Sequence, residues 1–311
     1  MTDWQMLSGE MSKRLEAWAL LFRACREAFH ETADTHHWNA AYGSPAANDA
    51  AVLPSPDPFI LDLRSESGHR LIAEVVQTFL LTASEHLGGL AALYTCRVII
   101  FSPAVLTRTI LENCAHAVRV LGEEVDAEHR LARCYLEEFK SAEEARTNAK
   151  HMHGEQHASY LAAVVNSDRI KTQIRGRFPG ASVSKLRDGL LLDQELPGLK
   201  ESVKLMYSLA EDAGGTITQD QASGIYGYLS NMTHPTLHPA RQRRRWYADP
   251  EHEHHVAYLD IGLRSVENEA RVSLASFYNA LNYTNSYYGW PQDILAALEA
   301  KIDATIPGFF R

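Results

Sequence analysis

The sequence predicts an all-α fold, a multi-helix bundle of roughly eight helices without a substantial sheet. Three observations predict it. Apolar residues recur at helical spacing through several long segments. The longest charged stretch, residues 126–165, contains no proline and one glycine. No convincing strand pair and no internal repeat stand out. A chain of 311 residues, 45% hydrophobic and 22% charged, is long enough to bury a sizeable core in the manner of an ordinary globular protein.

The elements follow in order. Residues 1–66 are expected to form an N-terminal helical arm and a Pro-rich loop, and residues 67–311 the bundle, together one compact domain. In the arm, Leu15, Trp18, Ala19, Phe22, Cys25 and Phe29 repeat with helical period over residues 4–33. The stretch "YGSPAANDAAVLPSPDPF" holds four prolines and is expected to be irregular. Residues 69–87 are apolar on most faces, which predicts a central helix, kinked at Gly88 and Gly89. Ser102-Pro103 opens the next helix, with serine as cap and proline in the first turn, and it ends near Gly122. Residues 126–165 predict one long or two collinear helices. Residues 167–198 are expected to be irregular apart from an amphipathic piece at "SKLRDGLLLD". Helices at 199–212 and 218–231 are split by "GGT", with Thr218 as N-cap. A long helix is expected from Val256 to Tyr288, striped by Leu259, Leu263, Val266, Ala270, Leu274, Phe277 and Leu281. Pro291 begins a last short helix.

Composition narrows the function. There are 30 basic and 39 acidic residues, a net charge of −9, which argues against a generic nucleic-acid coat while allowing a local basic patch. Cys25, Cys96, Cys114 and Cys134 are far apart with no CxxC pair, the pattern of reduced thiols in a cytoplasmic protein. The opening "MTDWQMLSGE" has no apolar run, so no signal peptide is expected. The longest apolar stretch, Leu87 to Phe101, is too short for a membrane span and contains Arg97. A homodimer is compatible with these features.

Four constellations carry candidate chemistry. In "RTILENCAHAVR", Arg108, Glu112, His116 and Arg119 fall within about 80° of one another on a helix. An arginine to bind an anion and a carboxylate to orient it would suit a bundle interior; a plain polar face has the same pattern. In "YGYLSNMTHPTLHP", Pro235 and Pro239 are expected to stop the helix, leaving His234 at its end and His238 on a non-helical path. Tyr228, Ser230, Asn231 and Thr233 add hydroxyl and amide groups there. His234 would act as acid/base or anion contact beside Arg108 and Glu112; a simple capped helix end is the alternative. In "RQRRRWY", Arg241, Arg245 and Trp246 would grip phosphate or stack on bases, unless the segment is a surface loop with locally paired charges. The histidines of "HMHGEQH" and "HEHH" supply ligands in twos where a zinc site needs three or four, so neither metal nor cofactor is expected.

"RTILENCAHAVRVL", "RLARCYLEEF" and "YGYLSNMTHPT" resemble an uncharacterised family of bacterial all-helical proteins grouped near the HEPN-like proteins. The resemblance covers roughly residues 70–240 and rests on Arg108, Glu112, Tyr228, Leu229, Ser230, His234 and Pro235. It implies an RNA-directed protein, a metal-independent ribonuclease or a defence or toxin component, with Arg108, Glu112 and His234 catalytic and Tyr228, Arg241, Arg245 and Trp246 on the substrate. HEPN ribonucleases space an arginine and a histidine closely, as do Arg146 and His151, Arg64 and His69, and Arg245 and His252; Arg108 and His234 lie outside that spacing. Two alternatives stand beside it: a small-molecule enzyme or binding protein whose tyrosine-rich "FYNALNYTNSYYGW" lines an aromatic pocket, and a non-catalytic interaction protein. A basic channel joining Arg241–Arg245 to the Arg108 stripe would favour RNA. An apolar cavity rimmed by tyrosines would favour a small molecule.

Overall fold

A computed structural model describes residues 9–55, 66–212, 214–234, 236–249 and 254–310. In chain order the elements are α1 (Gly9–His36), α2 (Pro45–Val52), α3 (His69–Thr95), α4 (Ser102–Leu121), α5 (Ala127–His153), α6 (Ala158–Arg177), α7 (Val183–Arg187), β1 (Leu190–Leu191), β2 (Gln194–Glu195), α8 (Leu199–Asp212), α9 (Gln219–Thr233), α10 (Leu237–Gln242), β3 (Arg244–Asp249), β4 (His254–Leu259), α11 (Leu263–Tyr288) and α12 (Asp293–Thr305). The fold is all-α with two small antiparallel strand pairs. The described residues hold twelve helices rather than roughly eight. The surplus comes from the short helices α2, α7 and α10, the first two capped by Ser44 and Ser182, and from the separation of α6 from α5.

The chain divides into two compact units. One comprises residues up to Asn39, 78–119 and 199 onward; the other comprises 40–77 and 120–198. Both are discontinuous in sequence, and position 66 falls inside the second.

In the first unit, α1 lies against α11 and α12. Its stripe of Leu15, Trp18, Phe22, Cys25 and Phe29 is buried. Trp18 and Phe22 meet the ring of Tyr94 edge-on, at 6.2 and 5.1 Å between centroids, and the Tyr94 hydroxyl donates to the Val266 carbonyl at 3.2 Å. Helix α3 passes unbroken through Gly88 and Gly89 and ends at Thr95. The two glycines admit close neighbours. A Cβ on Gly88 would lie 3.2 Å from the Arg26 side chain, and one on Gly89 would lie 3.1 Å from Leu106. Leu106 beside Gly89 and His116 beside Phe79, with ring centroids 5.2 Å apart, set α4 antiparallel to this part of α3.

Helix α9 opens on a full capping box: the Thr218 hydroxyl accepts from the Gln221 N–H, and the Gln221 carbonyl oxygen accepts from the Thr218 N–H. It ends at Thr233. His234 is extended (φ −94°, ψ 154°), the conformation favoured before a proline. His238 is not on a non-helical path as expected, because Pro239 sits in the first turn of α10, where its missing N–H costs no bond.

The Val256–Tyr288 helix also needs correction. Its first residues form β4, paired with β3 so that Arg244 faces Leu259 and Trp246 faces Ala257, and α11 begins only at Leu263. Aromatic and β-branched residues on both sides, "WYAD" and "HHVAYL", fit a hairpin better than a helix. The short alternation was masked by arginines on one strand and histidines on the other.

In the second unit, residues 126–165 form an antiparallel pair rather than a collinear one. Gly154, at φ +82°, closes α5, and α6 turns back along it, placing Ser167 beside Glu143 and Arg177 beside Glu128. The segment expected to be irregular before residue 55 contains α2, begun by Ser44 as N-cap and Pro45 in the first turn. A buried ion pair at 2.5 Å joins Asp49 of α2 to Arg130 of α5, and Arg130 also donates to the Gly122 and Val125 carbonyls. Residues 167–198 are more ordered than expected: α6 runs on to Arg177, and α7 and the β1–β2 pair follow.

Candidate functional site

Four groups in the first unit carry the polar and aromatic side chains of interest. In the first, Arg108 and Glu112 are one turn apart on α4 and face α9. The Arg108 guanidinium donates to Glu112 Oε1 at 2.7 Å, to the Tyr226 hydroxyl at 3.0 Å and to the Thr233 hydroxyl. The Tyr226 hydroxyl in turn donates to Glu112 at 3.2 Å. Arg108 also lies 5.3 Å over the Tyr226 ring. Burial opposes the arginine's charge, but the bonds to Glu112 and Tyr226 outweigh it and hold the guanidinium above its ordinary pKa. Burial and the Glu112 charge raise the Tyr226 phenol, so it stays a neutral donor. This network is internally satisfied and ties α4 to α9.

His116 and Arg119, further along the same stripe, are buried. His234 directly follows Thr233, yet its imidazole is exposed and makes none of these bonds. Thus the structure joins Arg108 and Glu112, adds Tyr226 and Thr233, and leaves the His234 side chain outside the network. His238 is exposed as well. Tyr226 escaped notice although it precedes Ser230 and Thr233 by four and seven residues, a helical stripe that could have revealed it.

The second group sits on the opposite side of α9. Tyr228 donates to Glu269 Oε1 of α11 at 3.0 Å, and Arg243 donates to the same oxygen at 2.9 Å and to the Tyr228 hydroxyl at 3.0 Å. Arg243 also lies 5.3 Å over the Phe101 ring. The side chains of Arg243 and Glu269 are 8% and 2% exposed. Burial raises the Glu269 carboxyl above its ordinary pKa, against the pull of Arg243. Tyr228, expected to meet substrate, is 41% exposed while its hydroxyl is bonded to Glu269 and Arg243. Sequence spacing gave no hint of Arg243 and Glu269, because their partnership is tertiary.

The third group is the β3–β4 hairpin. Arg241 and Arg245 are exposed, Arg245 facing Asp260 at 3.6 Å. Trp246 and Tyr247 are 59% and 56% exposed, and the Arg244 guanidinium lies 5.5 Å over the Trp246 ring. The arginines that would join this patch to the α4 stripe are committed elsewhere, Arg243 to Glu269 and Arg108 to Glu112.

The fourth group is a cavity of about 300 Å³ bounded by α8, the 214–217 turn, α11 and the C-terminal Phe309–Phe310. Tyr207, Tyr278, Tyr283, Phe309 and Phe310 contribute rings, and Asn279 and Asn282 contribute amides. Gly214, at φ +97°, and Gly215, where a Cβ would lie 2.7 Å from the Ala210 carbonyl oxygen, shape the turn that forms one wall. Of the sequence's candidate pocket residues, Tyr278 and Tyr283 line it. Tyr287 and Tyr288 do not; Tyr288 stacks on Trp290 at 4.4 Å.

Among the described residues, no group of three or more His, Cys, Asp or Glu is placed to hold a metal ion. His153 and His157 stack on each other at 4.6 Å, and His157 caps α6. Nor is any helix among the described residues long and apolar enough to cross a membrane. No protein-family model matches the chain, and no characterised protein or solved structure is similar to it.

Proposed function

We propose that the chain is a helical small-molecule-binding protein whose ligand occupies the cavity between α8 and α11. One observation carries this reading: about 300 Å³ of concave space walled by tyrosine and phenylalanine rings, at the lower end of the range of small-molecule sites, roughly 300–1,000 Å³. The polar network at Arg108 has its partners within the protein, and at Arg243 the pair with Glu269 is closed into the fold, with Arg243 Nη1 and Glu269 Oε2 buried and unpartnered among the described residues, whereas the cavity is open to a ligand. Ala275 lines it, so Ala275→Phe would fill it from a rigid helix. A thermal-shift screen of small aromatic compounds should give hits that stabilise the natural chain and not Ala275→Phe. Equal responses from both proteins would refute the reading.

The hairpin favours a second reading, RNA binding in the manner of a HEPN-like protein. An arginine stacked on an exposed tryptophan is the combination that grips single-stranded nucleic acid, with base stacking worth about 1–3 kcal/mol per base. In this reading Arg241, Arg245 and Trp246 hold the strand, and Arg108, Glu112 and His234 act on it. Fluorescence anisotropy with a labelled single-stranded RNA should show binding that Trp246→Ala weakens. If RNA is cleaved, His234→Ala should reduce the rate and His238→Ala should not. Absence of RNA binding at low salt would dispose of this alternative.

A further inference from the structure

We propose that the cavity selects an uncharged, planar heterocycle that presents a hydrogen-bond donor and an acceptor on one edge, as a lactam or an amino-imine ring does. This rests on the reading of the cavity as a ligand site and adds the chemical class of the ligand.

The first support is the absence, among the described lining residues, of ionisable carboxylate, ammonium, guanidinium or imidazole groups. A ligand carrying a carboxylate or phosphate would leave water without a counter-charge, a loss that a cavity of this kind cannot offset. The second is the shape of the walls. Aromatic rings favour stacked or edge-on contact with a flat partner. The third is the pair Asn279 and Asn282, three residues apart on α11 and so neighbours on one side of the helix. Each amide offers an N–H donor and a carbonyl acceptor. Neither side chain is bonded to the protein among the described residues. Two tyrosine hydroxyls of the lining are engaged, that of Tyr207 with Ser276 at 3.3 Å and that of Tyr278 with Glu299 at 3.2 Å. An asparagine amide is the complement of a ring edge that carries both a donor and an acceptor, the geometry by which asparagine reads adenine.

The test is titration calorimetry of the full chain with uracil and adenine, using toluene as the ring without polar edge and orotate as the charged relative of uracil. At least one heterocycle should bind, and orotate should bind at least about tenfold more weakly than uracil. Asn279→Leu or Asn282→Leu should weaken the heterocycle about tenfold to a hundredfold, by removing its partner, and leave toluene within about twofold. Asn282→Asp, of the same shape, should discriminate against the acceptor edge, and near-ultraviolet dichroism would confirm that each variant is folded. Toluene or orotate binding as well as the heterocycles, or asparagine variants without effect, would overturn the selectivity while leaving a ligand site in place. If no probe binds the natural chain or distinguishes it from Ala275→Phe, the ligand-site reading fails and this inference with it.

Discussion

Replacing Arg243 by methionine would leave Glu269 buried without its counter-charge. The two side chains are 8% and 2% exposed and 2.9 Å apart, so water offers the carboxylate little compensation. Breaking such a pair from one side costs about 3–5 kcal/mol, and the loss of the cation over Phe101 adds to it. The cost should depend on pH. Burial already raises the Glu269 pKa, and Arg243 pulls it down; removing Arg243 raises it further. A carboxyl whose pKa is higher folded than unfolded binds more protons in the native state. Its favourable contribution is full below the unfolded value and is lost as pH rises toward the folded one. Between the raised pKa of the natural chain and the higher one of the variant, the variant should lose up to about 1.4 kcal/mol per pH unit relative to the natural chain. Urea denaturation at pH 5 and pH 7 measures this. The deficit of Arg243→Met should be larger at pH 7, and Arg243→Met with Glu269→Leu should recover most of it. A deficit that is equal at the two pH values, or below about 1 kcal/mol at pH 7, would refute the reasoning.

Three further outcomes are expected. Tyr226→Phe removes a hydroxyl shared by Arg108 and Glu112 and should destabilise the chain by about 1–3 kcal/mol in denaturant titration. Glu143 is hydrogen-bonded by Ser167, Arg146 and Lys171, which overcome its burial and lower its pKa to about 2; its contribution is present above the unfolded value and is lost as pH falls through the acid range. Glu143→Gln should therefore show a shallower loss of stability on acidification than the natural chain, in thermal melts from pH 5 to pH 3. Gly68 has φ +56°, and an added Cβ would lie 2.6 Å from the Pro54 carbonyl oxygen, so Gly68→Ala should lower the melting temperature, by about 1–3 kcal/mol of stability.

The helical elements were legible where a core stripe repeats: Leu15 to Phe29 in α1, and Val266 to Leu281 in α11. Such stripes record burial, and burial sets helical period. The break between α5 and α6 was not legible as a reversal, since Gly154 permits a turn without fixing its direction. The hairpin was missed because arginine and histidine obscure the alternation. At the candidate sites, Arg108 and Glu112 could be paired from spacing alone because both lie on one helix. Tyr226, Arg243 and Glu269 find their partners across elements, which local periodicity does not encode. The cavity combined both cases. Asn279 and Asn282 occupy a second stripe of α11, beside the apolar one, and that stripe acquires meaning only when α8 and Phe309–Phe310 close over it.

Helix α1 is synthesised well before α12, which lies against it in the fold. During translation the second unit, finished by residue 198, can assemble while Leu15, Trp18, Phe22 and Phe29 still lack α11 and α12. This apolar face must wait in the cell with only α3, through Tyr94, to cover part of it, and the rest is a natural landing place for a chaperone. A chain interrupted before α11 would therefore combine one complete unit with an adhesive helix α1.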